Sequence, residues 1–302
     1  MSTLSELIQH RSRLDAASID WLHQLVGDWQ VVSDLSFADL VLCIPMGEEE
    51  FLIVAHCRPS TGATVYYEDV VGTLIPSGRR RLLRQAMERR TSVRATEPRW
   101  IGSYAVREDA VPVIHDGEAI AVISRLANLG ITRTSSRMEL NYVEAGDAIC
   151  AMITRGEFPQ PGSPTGSRRG APRVGDGFFR LGLDGEVLYA SPNALSAFHR
   201  LGVIGDLTGK VLVETVTDLL DKHAPVDESL PVVMTGKAAW RAEIEAHGVV
   251  LSFRAIPITD NGQRRGAVLL CRDVTEVRRQ ELELLTKDAT IREIHHRVKN
   301  NL

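Results

Sequence analysis

The sequence predicts an α+β protein: two domains, each an antiparallel sheet with helices, followed by a coiled-coil helix. Three observations predict it. The chain has 302 residues, about two domains at roughly 150 residues each. Nine of the twenty residues from Gly156 to Gly175 are Gly or Pro, a stretch that breaks helix and strand periodicity and has little to bury. The last 27 residues, Glu276 to Leu302, contain no Gly or Pro. These divisions give a first domain over 1–155, a linker over 156–173, a second domain over 174–276 and a terminal helix over 277–302.

The first domain opens with helical spacing. Leu4, Leu7 and Ile8 are followed by Ile19, Leu22, Leu25, Val26 and Trp29, the apolar positions of one helix face. Strand-like runs come next: ADLVLCIP, FLIVAHCRP and ATVYYEDVVGTLIP. An arginine-rich helix leads to VPVIHDGEAIAVISRL, where Asp116-Gly117 between two apolar segments predicts a hairpin. A helix over Ser136 to Ile153 closes the domain.

In the second domain, GDGFFRLGLDGEVLYASPNALSAF reads as a strand, an Asp184-Gly185 turn, a strand and a helix capped near Ser191. Residues 212–229 read as short helices and loops. AWRAEIEAHG, VVLSFRAIPIT and RRGAVLLCRDVTE supply three further strands. In the terminal helix, Val277, Leu284, Ile291 and Val298 recur every seventh residue, a short coiled-coil seam. Its companion positions, Glu281, Asp288, His295 and Leu302, are poor, so the predicted seam is weak.

Composition narrows the function classes. Hydrophobic residues make up 44% and charged residues 25%, with a net charge of −4, so the chain as a whole is no polyanion binder. No apolar run approaches the ~20 residues that span a bilayer, and the polar N-terminus predicts no signal peptide. The four cysteines, at 43, 57, 150 and 271, form no CxxC pair. A reducing, cytoplasmic setting with neither membrane nor direct nucleic-acid contact is the expectation.

Conventional catalytic motifs are absent from the sequence. Gly205-x-x-x-Gly209-Lys210 is one residue short of a phosphate loop and lacks its Ser or Thr. Between Arg79 and Arg99, eight arginines stand against two glutamates, a net +6. This is either an anion or nucleotide-ligand surface or, more commonly, a solvated helix face. His56-Cys57 could sense metal or oxidants, although a buried structural cysteine is commoner. His199 as a haem ligand and Cys271 as a flavin-reactive thiol are weaker ideas still.

The sharp feature is KDATIREIHHRVKNNL at the C-terminus. Adjacent histidines lie about 100° apart on a helix and lack the i, i+4 spacing that lets two imidazoles share a metal. His295 lies about 40° from Ile291, beside the seam, whereas His296 lies about 140° away on a polar face. Arg292, Lys299 and Asn300 share that face. A neutral imidazole beside cations is placed to attack a phosphoryl group. The competing reading is a solvated helix face with two incidental histidines.

IREIHHRVKNNL closely resembles the H-box of HisKA_2-class sensor histidine kinases, whose phosphoacceptor matches His296, with Arg297, Lys299 and Asn300 supporting it. His295 is the alternative acceptor. GDGFFRLGLDGEVLYASPNALSA and RRGAVLLCRDVTEV resemble the first and last strands of a PAS domain. VPVIHDGEAIAVISRL and SSRMELNYVEAGDAICAMITRGEFP resemble a GAF-like sensor. Together they are similar to the soluble GAF–PAS kinases of the PdtaS type. The resemblance implies a cytoplasmic homodimer joined through 277–302, with autophosphorylation from ATP and Mg2+. It also implies transfer to a response regulator of the RNA-binding antiterminator type and a possible small-molecule ligand in GAF or PAS. No nucleotide-binding motif of such a kinase lies within the 302 residues. The expectation is therefore a sensor region that binds no cofactor and is no kinase alone. The alternative is a non-enzymatic GAF–PAS ligand-sensing dimerisation module.

Overall fold

The computed structural model describes residues 4–12, 14–47, 50–130, 136–160, 170–219 and 229–300, with 10, 11 and 288–300 as backbone only. The first domain begins with three helices, α1 (Leu4–Arg11), α2 (Ala16–Asp28) and α3 (Gln30–Ser36). The Asp15 side chain accepts from Ser18 N and caps α2. The apolar spacing through Trp29 thus forms α2, and α3 follows as a separate turn of helix that buries Val31, Val32 and Leu35.

A six-stranded antiparallel sheet follows: β1 (Ala38–Met46), β2 (Glu50–Cys57), β3 (Val93–Arg94), β4 (Arg99–Ile101), β5 (Tyr104–His115) and β6 (Glu118–Asn128). Its order is β2-β1-β6-β5-β3, with β4 also on β5. Asp116 and Gly117 take φ of 48° and 78°, the left-handed pair that a tight β5–β6 hairpin requires. α4 (Ser77–Arg89) and α5 (Arg137–Ile153) complete the domain. Ser136 and Glu139 form a reciprocal capping box at the start of α5.

Both faces of this sheet are covered, which explains why β1 reads as a continuous apolar run. Leu40, Leu42 and Ile44 pack in the same core as α1, α2, α3 and α5. Val41 and Cys43 pack in another with Leu83 and Ala86 of α4. The segment 63–76 corrects the reading of a third strand, since it forms only an isolated bridge, Leu52 to Leu74. Gly72, Thr73 and Ile75 exchange backbone bonds with Phe51 and Ile53 of β2, whereas side chains take the polar groups of residues 64–68. Asp39 accepts from Thr64 Oγ1 and Val65 N, and Arg58 donates to the carbonyls of Tyr66 and Glu68.

The second domain is a five-stranded antiparallel sheet of β7 (Phe178–Leu181), β8 (Val187–Ala190), β9 (Arg241–Ala246), β10 (Val249–Asp260) and β11 (Gln263–Asp273). The order is β8-β7-β11-β10-β9. α6 (Pro192–Leu201), α7 (Leu212–Thr217) and α8 (Leu230–Met234) lie between β8 and β9 in the chain. Ser191 caps α6 by accepting from Ala194 N.

Alternation along β11 divides its side chains between two cores. Ala267, Leu269 and Cys271 pack with Phe198 of α6. Val268 and Leu270 join the first domain's helical core, together with Phe178, Tyr189 and Ile256. The two domains therefore share one apolar layer. Tyr142 of α5 packs against Phe178 with ring centroids 4.6 Å apart.

The described start of the Gly/Pro-rich stretch, residues 156–160, differs from its reading as a segment with little to bury. Phe158 is 2% exposed and lies in the shared core. Glu157 accepts from Thr259 Oγ1 and Gly262 N, and Gln160 Nε2 donates to Pro257 O. These bonds are long-range in sequence, so local composition does not reveal them. Finally, α9 (Thr275–Asn300) leaves β11 as one helix. Among the described residues, no helix is long and apolar enough to cross a membrane.

Candidate functional site

Only Val274 separates the end of β11 from the start of α9, and the junction is fastened on three sides. Asp273 Oδ1 accepts from Thr275 N at 3.0 Å and Thr275 Oγ1 at 2.6 Å. The Thr275 hydroxyl in turn accepts from Val250 N at 2.9 Å, which ties the helix start to β10. Arg278 then grips Glu243 of β9 through two nitrogens, and it also donates to Glu281 one turn on. Burial alone would raise the Asp273 carboxyl. The hydrogen bonds from Thr275, with Arg200 beside it, outweigh burial and hold it below its ordinary range.

The helix that this junction launches carries His295, His296, Arg297, Lys299 and Asn300 within its backbone span. Their side chains lie outside the described residues, as do those of Ile291 and Val298. Of the predicted seam, Val277 is half-buried and Leu284 is 57% exposed, with Leu282 and Leu285 exposed beside it.

The arginine cluster is not the uniform solvated face that its composition suggests. Arg79 is 4% exposed and sits beneath α4 in a fork with Glu108, which is fully buried on β5. Arg79 Nη2 lies 2.7 Å from Glu108 Oε1 and also donates to Ser124 Oγ. Arg94 and Arg125 converge on Asp109. Burial there would raise the Asp109 carboxyl, but the two guanidinium groups hold it below its ordinary range. Arg90 reaches Glu118 at the surface. Three of the eight arginines, Arg79, Arg94 and Arg99, thus meet internal carboxylates, which weakens the reading of an anion or nucleotide surface.

A second polar cluster lies between β1, β2 and the 63–76 segment. The fully buried Asp39 bonds His56 Nε2 at 2.9 Å as well as Thr64 and Val65. Sequence reasoning missed both clusters. Their signals in the sequence are Asp39, a single acid in the otherwise apolar β1, and the charged run Arg107-Glu108-Asp109 inside β5.

Cys57 is buried and donates to Gln30 Oε1. Burial pushes its thiol up to about 12, the opposite of the depressed value that a thiolate sensor needs. No group of three or more metal-ligating side chains occurs among the described residues. Cys271 is likewise buried, with its thiol pushed up to about 12 by burial, and His199 is exposed on α6. At the phosphate-loop-like stretch, the amides of Gly209 and Lys210 donate to the carbonyls of Val187 and Leu207. They are not free to cradle an anion.

Comparison with known proteins agrees with this architecture. Residues 4–146 match the family model described as the GAF domain of histidine kinase PdtaS, and residues 172–279 match a PAS fold. A solved structure described as the sensor region of a sensor histidine kinase superposes with a TM-score of 0.77 at 32% identity. That likeness covers 92% of this chain and 100% of the other. The chain belongs to the PdtaS family of sensor histidine kinases. Sensor histidine kinase PdtaS of Mycolicibacterium smegmatis is 39% identical over 308 residues, and that of Mycobacterium tuberculosis is 38% identical over 324. Each alignment takes in 100% of this chain and 62% of the relative. The chain therefore spans 62% of the length of those PdtaS kinases. The first domain is the GAF domain of this family and the second is its PAS domain.

Proposed function

We propose that this chain is the input region of a kinase that autophosphorylates on His296 and passes the phosphoryl group to an aspartate of a response regulator. The regulator is of the RNA-binding antiterminator type. Arg297, Lys299 and Asn300 support the acceptor, ATP and Mg2+ are taken by the part of such a kinase outside these 302 residues, and 277–302 pairs with its copy in a homodimer. The observation that carries the reading is the junction at Asp273, Val274 and Thr275, which fastens the PAS sheet to α9 without a flexible residue. A displacement of that sheet is then felt by the helix that bears the acceptor as a change in rotation or stability.

In the full-length kinase, His296→Gln eliminates radiolabel transfer from ATP, whereas His295→Gln reduces it without abolishing it. Two glycines inserted after Glu276 uncouple regulation from labelling. Full labelling of the His296→Gln protein would move the role to His295. A full-length parent that takes no label at all would leave a ligand-sensing dimerisation module in place of a phosphoacceptor region.

A further inference from the structure

The β10–β11 hairpin of the PAS domain is held at both ends, and the hold at its tip comes from the chain at the end of α5. Glu157 Oε2 accepts from Thr259 Oγ1 and Oε1 accepts from Gly262 N, each at 2.8 Å. Arg155 Nη2 donates to Thr259 O at 2.7 Å, and its Nε donates to Glu157 at 3.2 Å. One carboxylate spans the hairpin turn, with a guanidinium behind it. Burial alone would raise the Glu157 carboxyl, but the bonds from Thr259, Gly262 and Arg155 hold it below its ordinary range. Arg155, Glu157 and Thr259 all lie outside the apolar layer that the two domains share.

The gripped residue sits at a break in the ladder. The β10–β11 register shifts between Ile258 and Thr259, which face Gly266 and Arg264 and leave Arg265 as the extra residue of a bulge. A bulge bends its strand and raises the local twist, so a grip on Thr259 acts where the aim of the hairpin is set. The other end carries the helix. Val250 N donates to Thr275 Oγ1, and Val274 N, just past β11, donates to Val250 O. On the GAF side, Arg125 ties α5 to the sheet, meeting Asp147 at 2.6 Å and Asp109 at 2.7 Å. Hydrogen bonds and ion pairs therefore run from the GAF sheet through α5 to the bulge, and along two paired strands to α9.

We propose that the β10–β11 hairpin is a lever by which the GAF domain sets how firmly α9 is fastened, with Arg155 and Glu157 as the grip on its bulge. The GAF domain then reaches the helix along the PAS sheet, without any rearrangement of the PAS core that Phe179, Phe198 and Phe253 fill. The element with two states is the first turn of α9, closed by the Asp273 and Val250 bonds or opened by their loss. Releasing the tip lets the twist of the hairpin vary and moves that balance towards the open turn. Use of the lever for signalling rests on the kinase reading above, whereas the coupling itself does not.

Hydrogen-exchange mass spectrometry on this chain tests the lever at a distance, since the stretch of β10 from Val250 to Thr259 spans roughly 30 Å. Glu157→Ala and Thr259→Val each remove the Glu157–Thr259 bond and leave the apolar layer intact. Each is expected to quicken exchange across Thr275–Glu281 by about threefold or more. The double variant should be no faster than the faster single one, because both changes remove the same contact. Asp206→Ala removes the turn bonds to Thr208, outside the hairpin, and should leave those amides unchanged. If Glu157→Ala fails to fold, Thr259→Val reads the same contact from the PAS side. Exchange quickened only at residues 257–264, additive effects in the double variant, or an equal response to Asp206→Ala would each overturn the proposal. In the full-length kinase both grip variants are expected to alter autophosphorylation. Quickened exchange with unaltered autophosphorylation would support the lever and count only against its use in signalling.

Discussion

The carboxylate of Asp273, the last residue of β11, holds both the backbone N–H and the hydroxyl of Thr275, the first residue of α9. Because the same hydroxyl accepts from Val250 N, the helix start is bound to two adjacent strands of the PAS sheet. Such a side-chain bond satisfies one of the amides that a helix leaves open at its first turn. These two strands and the helix therefore form one mechanical element.

Replacing Asp273 with alanine is expected to loosen that element locally. Loss of a cap costs about 0.5–2 kcal/mol, so amide exchange across Thr275–Glu281 should quicken by a factor of up to about 30. Protection elsewhere in the PAS sheet should change little. Exchange mass spectrometry resolving this peptide checks it, and unchanged protection would show that the Arg278 clasp on Glu243 suffices alone.

The same carboxylate makes the junction sensitive to acid. Its pKa in the folded chain is lowered, since the Thr275 bonds and Arg200 outweigh the upward push of burial. A lowered pKa contributes stability that is present above the ordinary value near 4 and lost as pH falls through the folded value. The difference in first-turn protection between the parent and Asp273→Asn is thus expected to be constant near neutrality and to shrink below about pH 4. A difference that grows on acidification would contradict this sign.

Arg79 and Glu108 make a buried ion pair inside the GAF domain, and its two halves should not be removable singly. Arg79→Met leaves the buried Glu108 with only the half-exposed Arg99, 3.6 Å away, and is expected to cost about 3 kcal/mol. The double variant Arg79→Met, Glu108→Leu should recover most of that loss, because no charge remains buried unpaired. Urea unfolding of the three proteins measures it. A double variant as unstable as the single one would place the cost in lost packing or in the Ser124 bond.

Leu282, Leu284 and Leu285 are exposed on α9 of the single chain, and Leu284 belongs to the seven-residue repeat. Concentration-dependent dimerisation is expected, weak because the companion positions are polar. Leu284→Asp combined with Ile291→Asp should leave a monomer by light scattering at every concentration tested. An unchanged dimer would assign association to another surface.

Local chemistry alone determined several elements of this protein. The Asp116-Gly117 hairpin, the Ser136 and Ser191 helix starts, the β10 and β11 strands and the unbroken terminal helix all follow from turn residues, caps and apolar spacing within a few positions. The H-box resemblance at 291–302 was legible for the same reason, since it is a contiguous pattern. What only the tertiary structure decided are the partners of groups far apart in the chain. Arg79 looks like any helix-surface arginine until Glu108 and Ser124 are folded beneath it. The 63–76 segment has the alternation of a strand, yet Asp39 and Arg58 capture the polar groups of residues 64–68, and only residues 72–75 bond β2. Phe158 lies in a Gly/Pro-rich stretch and still enters the shared core. Asp28 meets Arg254 only because the outer face of the PAS sheet packs on the GAF helices. Periodicity and turn chemistry act over a few residues of backbone, whereas the pairing of a buried charge depends on which distant side chain shares its low-dielectric pocket.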